Sequence, residues 1–252
     1  MNTTPRQESG RYLYAIADAN TQQTWSATGV NGRPVYLVPQ GAIAAVVSDI
    51  TERRIRPERR NLVAHHAVVK NLMEASTVLP VAFGTIAGGQ KAVLKILKDH
   101  GSAFASQLDH VRGRVEMGLR VSWDVPNIFE YFVARHPDLA ELRDSIVGSQ
   151  RHASQDDKIE LGRMFDHLLA EDREQHAEAV ADVLAPCCDE IRRNPTRNER
   201  EVMHLACLVR REDRARFEDA IFEAAKRFDN NFAFDFNGPW APHHFVDVVV
   251  DV

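Results

Sequence analysis

GRVEMGLRVSW, residues 113–123, alternates strictly between two kinds of side chain. Val115, Met117, Leu119, Val121 and Trp123 fall on one side of a strand, and Arg114, Glu116, Gly118, Arg120 and Ser122 on the other. The pattern predicts one dry and one wet face. On this reading Arg114, Glu116 and Arg120 are exposed, or covered only by another helix, and Leu119→Ala costs far more stability than Arg120→Ala. Downstream, short helices are expected after Pro126 and around Leu139, Leu142 and Ile146. Residues 155–193 read as one long helix marked by Ile159, Phe165, Leu169, Val180, Leu184 and Ile191, kinked or broken at Pro186. VMHLACLV, residues 202–209, is apolar on both faces, like a central strand. Residues 213–227 form an amphipathic helix with Phe217, Ile221 and Phe228 on its stripe. Phe232, Phe234 and Phe236 alternate as a strand, GPWAP (238–242) is a turn, and 245–250 is a last strand. Strands alternating with a long and a shorter helix give this half the order of a split β-α-β fold of ferredoxin-like type.

Upstream, RYLYAIA (11–17), PVYLVP (34–39) and AIAAVVS (42–48) read as strands, the last two joined at Gln40-Gly41 as a hairpin. Leu62, His65, His66, Val69, Leu72 and Met73 recur at helical spacing after Pro57. TVLPVAF (77–83) is a short strand, and Gly84 to Gly89 a loop. Two helices follow from Lys91, broken at Gly101-Ser102. The expected fold is α+β in two domains. Residues 1–100 carry a small mixed sheet with a helix. Residues 101–252 carry the ferredoxin-like domain with its long helix and a helical insertion. The helices between Lys91 and Val111 join them.

The 252 residues are 44% hydrophobic and 27% charged, with a formal net charge of −5. This composition is that of a globular protein. The charge argues against broad nucleic-acid binding, which needs a surplus of Lys and Arg. No apolar run reaches the roughly 18 residues of a membrane span. No secretory signal is visible in the polar first ten residues. Three cysteines without a C-x-x-C pattern suggest buried, reduced thiols in a cytosolic protein.

The closest mimic of a catalytic motif is GTIAGGQK, residues 84–91. A phosphate-binding loop needs Lys directly after the second Gly and Ser or Thr next. Gln90 and Lys91 occupy those places, so an ordinary strand-to-helix turn is expected. His65-His66 on a helix point about 100° apart, and His243-His244 on a strand point to opposite faces, so neither pair is a natural chelate. Asp156-Asp157 and Glu171-Asp172 read as solvated helix charges. Phe232, Phe234 and Phe236 read as a buried core face rather than a base-stacking platform. No catalytic, cofactor-binding or metal-ligating residue is predicted. The competing enzyme reading is a hydrolase using His65 or His66 with a nearby acid.

Four segments carry a resemblance. They are GVNGRPV (29–35) running into GAIAAVVS (41–48); Leu62 to His65 with Val68 and Leu72; TVLPVAFGT (77–85); and FNGPWAP (236–242) with Phe245-Val246. In this order and spacing the chain resembles the gas vesicle protein GvpF/GvpL family. It departs from the family pattern at Ala82, where arginine is usual, at Ala241-Pro242-His243 after GPW, and at His66, where Glu is common. The resemblance implies an accessory or minor structural protein of gas vesicles, in the cytoplasm and on the vesicle. It would bind the hydrophobic major shell protein, with other accessory proteins as further partners, and assist nucleation and assembly. No cofactor, nucleic acid or membrane partner is implied. The candidate partner-binding residue is Trp240. A rigid turn next to Phe236 and Phe245 favours tucking its indole against the sheet, with Trp240→Ala then destabilising.

Overall fold

The computed structural model describes residues 9–21, 28–148 and 154–248. The chain forms two compact units, residues 1–116 with 239–252, and residues 117–238. The boundaries fall within two strands rather than at residue 100, because the helices on either side of that residue both pack in the first unit.

In the first unit, β1 (Gly10–Asp18), β2 (Val35–Gln40), β3 (Ile43–Ile50), β4 (Val78–Pro80) and β5 (Ile86–Ala87) form one sheet in the order β2-β3-β1-β4, with β5 also paired to β1. β1 pairs antiparallel with β3, β4 and β5, and β2 pairs antiparallel with β3. β2 and β3 are the expected hairpin, turning at Gly41 with φ +63°. The two-residue β5 lies in what the sequence presents as a loop. Tyr12 to Ala17 of β1 are buried without exception. α1 (Arg59–Ala75), α2 (Gln90–Asp99) and α3 (Gly101–His110) pack on this sheet. α1 turns His65, Val69, Leu72 and Met73 inward, as its spacing predicts, and Val68 with them, while Leu62 is half-buried and His66 exposed.

The second unit is ferredoxin-like. Its sheet combines β6 (Arg114–Trp123), β7 (Glu190–Asn194), β8 (Glu201–Arg210) and β9 (Phe232–Trp240) in the order β7-β8-β6-β9. In chain order this is strand, helix, strand, strand, helix, strand, with α6 (Gln155–Leu184) and α7 (Arg214–Ala225) as the two crossover helices. α4 (Ile128–Arg135) and α5 (Pro137–Gly148) are the helical insertion before α6. Ser154 caps α6 by accepting from the Asp157 amide, while Asp157 accepts from the Ser154 amide.

The break expected at Pro186 is present: the long helix ends at Leu184, and Pro186 sits in a 3-10 turn. Three other expectations are corrected. Residues 190–194 are then not helix but β7, paired antiparallel with β8 from Glu190↔Leu208 to Asn194↔His204. The GPW segment is not a turn, since β9 runs through Gly238 to Trp240. No strand follows among the described residues: His243–Phe245 is a 3-10 turn, residues 246–248 carry no regular structure, and 249–250 lie outside the described residues.

β6 keeps its dry face, with Val115, Met117, Leu119, Val121 and Trp123 all buried. Its other face is not wet throughout. Glu116 is buried, and Arg114 and Arg120 are only partly exposed.

Candidate functional site

Three arrangements gather polar or aromatic chemistry. The first lies in the first unit, between β1 and α1. His65 is 2% exposed and stacks on Tyr14, with ring centroids 5.6 Å apart. Its Nδ1 lies 3.0 Å from the Tyr12 hydroxyl, which accepts from the Gly84 amide. The direction of the Tyr12–His65 bond follows the tautomer of the ring. The ring also hydrogen-bonds the Val81 backbone. Burial, with help from His66 and His243, holds the His65 pKa down to about 4. The Tyr14 hydroxyl accepts from the Val30 amide at 2.8 Å and pairs with Ser48 at 2.9 Å. Burial pushes both tyrosines upward, so both stay protonated. Every polar atom here is turned to another part of the fold, so the cluster fastens Val30, β3, α1 and the Val81–Gly84 turn to β1. Among the described residues no acid pairs with His65. His66 points outward, and Ala82 is exposed on its turn.

Gly29 completes this packing. A Cβ built there would lie 2.1 Å from the Tyr14 hydroxyl and 2.9 Å from Val35 Cγ2. Gly29→Ala is expected to cost about 1–3 kcal/mol by overpacking, read as a lowered urea midpoint. An unchanged midpoint would show that Tyr14 moves aside without loss.

The second arrangement holds the C-terminal segment within the first unit. Glu116 accepts from the His244 amide at 2.8 Å and faces His244 Nδ1 at 2.6 Å. Gln107 bonds the Asp247 backbone at both its amide and carbonyl. Ala241, Phe245 and Val246 are buried. His243-His244 thus opens a turn, not a strand. Among the described residues no group of His, Cys, Asp and Glu is placed to hold a metal ion. GTIAGGQK forms β5, a turn and the start of α2, with Lys91 exposed. Among the described residues no disulfide is formed; Cys207 is buried and Cys187 and Cys188 are half-buried.

The third arrangement is aromatic and belongs to the second unit. Phe232, Phe234 and Phe236 lie on one side of β9 and are half-buried, not a closed core. Phe228 and His176 pack against the first of them, all within 5.0 Å between centroids. Phe222 of α7 is 59% exposed, its ring 6.3 Å from Phe236. β9 is an end strand of its sheet. The opposite end strand, β7, is five residues long and carries Glu190, Arg192 and Arg193, the charge that blunts an edge. β9 is nine residues long, with Asp235 as its one charge. Trp240 ends β9 at 45% exposure, so the expectation of a tucked indole is corrected. The spacing of the phenylalanines is legible in the sequence, but the partial exposure of their row is not.

Fold and site together define an α+β protein whose polar clusters fasten its own elements and whose aromatic residues reach the surface along β9 and α7. The chain belongs to the gas vesicle synthesis protein GvpL/GvpF family, whose model matches residues 10–247. It is 24% identical to gas vesicle protein F of Nostoc sp., over 95% of this chain and 99% of that one. It is 27% identical to gas vesicle protein L1 of Halobacterium salinarum, over 94% and 90%. The crystal structure of the gas vesicle protein GvpF from Anabaena sp. superposes with a TM-score of 0.84 at 24% identity, covering 96% of this chain and all of that one. GvpF from Microcystis aeruginosa gives 0.81 at 19% identity, over 94% and 98%. These structures share the fold. Family membership gives this chain a gas-vesicle-associated role. No helix among the described residues is long and apolar enough to cross a membrane.

Proposed function

We propose that this protein is a cytoplasmic assembly factor that binds the hydrophobic major shell protein of gas vesicles and assists their nucleation, acting without catalysis. The family match across residues 10–247 carries this reading. The physical logic is that of a holding partner. An apolar, strand-forming subunit aggregates through its open edges until it is incorporated. A partner offering an end strand and aromatic side chains meets both needs, through backbone pairing and apolar contact. β9 with Phe222 is the surface of the second unit best suited to that role, and Trp240 is a separate candidate anchor.

The test is co-purification with the shell protein, together with vesicle yield in a deletion strain. Phe222→Ser and Trp240→Ala are expected to shift stability by no more than about 1–2 kcal/mol, since Phe222 is 59% and Trp240 45% exposed. At least one is expected to weaken binding about 10-fold or more, the size of a hot-spot loss. Binding unchanged in both variants would remove this surface. Normal vesicle yield in the deletion strain, with no paralogue present, would remove the assembly role itself.

A further inference from the structure

The segment joining β3 to α1 is strongly basic. Arg53, Arg54, Arg56, Arg59 and Arg60 fall within eight residues of a chain whose net charge is −5. All five are exposed, while Ile55 between them is buried and pins the segment to the first unit. The two acids nearby are already engaged. Glu52 accepts from Asn31 and from Thr51, and Glu58 pairs with Arg60 at 2.8 Å. Arg53, Arg54, Arg56 and Arg59 make no ion pair among the described residues. Arg59 and Arg60 open the 17-residue α1, where Glu58 at the N-cap already supplies an anion and pairs with Arg60. The occupant is set by the remaining arginines, whose like charges repel one another and call for an anionic surface.

The molecule carries such a surface in its second unit. α6 holds nine carboxylates against three Lys or Arg cations, a net of −6. Glu171, Glu174, Glu178 and Asp182 are all exposed and follow one another at spacings of three and four, so they form a stripe along one helix face. The stripe is about 16 Å long. Glu174 pairs with Arg193, and Glu171 lies near His167. Glu178 and Asp182 make no ion pair among the described residues.

We infer that the Arg53–Arg60 segment of one molecule docks on the acidic face of α6 of a second copy, giving a salt-sensitive, head-to-tail self-association. The occupant is a second copy because the matching charge is displayed by the same chain. A contact between two different patches leaves one of each unused, so it propagates until geometry closes it. Nucleic acid is the less favoured anion, since a net charge of −5 repels a polyanion outside this one segment.

The test is sedimentation velocity of the full chain at about 0.1 M and 1 M salt, between which the Debye length falls from about 10 to 3 Å. Association is expected at low salt and to weaken at least about 10-fold at high salt. Arg53→Glu/Arg54→Glu/Arg56→Glu is expected to be monomeric at low salt, with an unchanged circular dichroism spectrum. Glu171→Lys/Glu178→Lys/Asp182→Lys should behave likewise. Mixing the two variants restores one matched contact and should restore association. A monomeric wild type at low salt would overturn the inference. So would association that survives either triple change, or a mixture that stays monomeric. RNA bound through the arginines by a monomeric wild type would assign the segment to a different partner.

Discussion

Replacing Glu201 by alanine is expected to destabilise the second unit by about 3–5 kcal/mol, the cost of breaking a buried ion pair from one side. Glu201 is 2% exposed at the start of β8. Its carboxylate forms an ion pair with Arg120 of β6 at 2.5 Å, a close charge contact rather than an aligned hydrogen bond. The other oxygen accepts from the Arg197 amide in the β7–β8 connection. Arg173 of α6 bonds the carbonyls of Asn198, Glu199 and Glu201 at 2.9–3.1 Å and lies over the Trp123 ring. One carboxylate thus ties two sheet strands and a hairpin loop together, while an arginine ties that loop to the long helix. Alanine leaves the Arg197 amide and the Arg120 guanidinium without this acceptor in a poorly solvated place. Arg120→Ala is expected to be costly as well, because it strands the buried carboxylate. The small cost assigned to it from the alternation of β6 is thereby revised. Urea unfolding followed by circular dichroism checks both. Arg120→Met combined with Glu201→Leu should recover most of the loss, since an apolar pair has no charge to desolvate. A Glu201→Ala midpoint equal to wild type would show that the contact holds nothing.

Acidification from pH 7 to pH 4 is expected to remove about 3 kcal/mol through His65 alone, at about 1.4 kcal/mol for each pH unit separating its folded and unfolded pKa values. The sign follows from which of the two is lower. The His65 pKa is held at about 4 in the fold, first by burial and then by His66 and His243. In the unfolded chain the ring takes a proton near pH ~6.5. Between those values the unfolded state binds the extra proton, so stability falls as pH falls. The contribution is complete above about pH 6.5 and gone below about pH 4. Urea midpoints at pH 7.5, 6, 5 and 4.5 test this, with His65→Gln as the comparison. The variant should be less stable at pH 7.5 and show a flatter pH profile. Parallel profiles would mean that His65 titrates normally in the fold. His243 is displaced in the same direction, but its exposed ring is screened by solvent and contributes less.

Much of this architecture is legible in the residues. Period-2 alternation locates β6, and helical spacing places His65 on the buried face of α1. Pro186 marks the end of the long helix, because a residue without an amide proton cannot continue one. β7 is not legible. Its segment EIRRN has one apolar residue, and its strand character comes from pairing with β8, which lies several residues further along the chain. The ferredoxin-like class is reached from sequence with the right number of strands but not the right order: the expected extra strand at 245–250 stood after the last helix and strand, whereas the actual one, β7, stands before β8.

What the sequence by itself determined is most of the helices and strands, the α+β class and, through LPVAFGT and NGPWAP, the family. Those are local properties: periodicity reports which side chains share a face, and a motif is carried by neighbours in the chain. What only the tertiary structure decided is what covers each face. Glu116 and Arg120 sit on one side of one strand. The fold places the C-terminal His244 against the first and Glu201 against the second, from 128 and 81 positions away. The same holds for Trp240, whose indole reaches solvent although phenylalanines lie four and five positions from it in the chain. Burial is a property of the surface that arrives from elsewhere in the chain, and alternation along one strand carries no record of it.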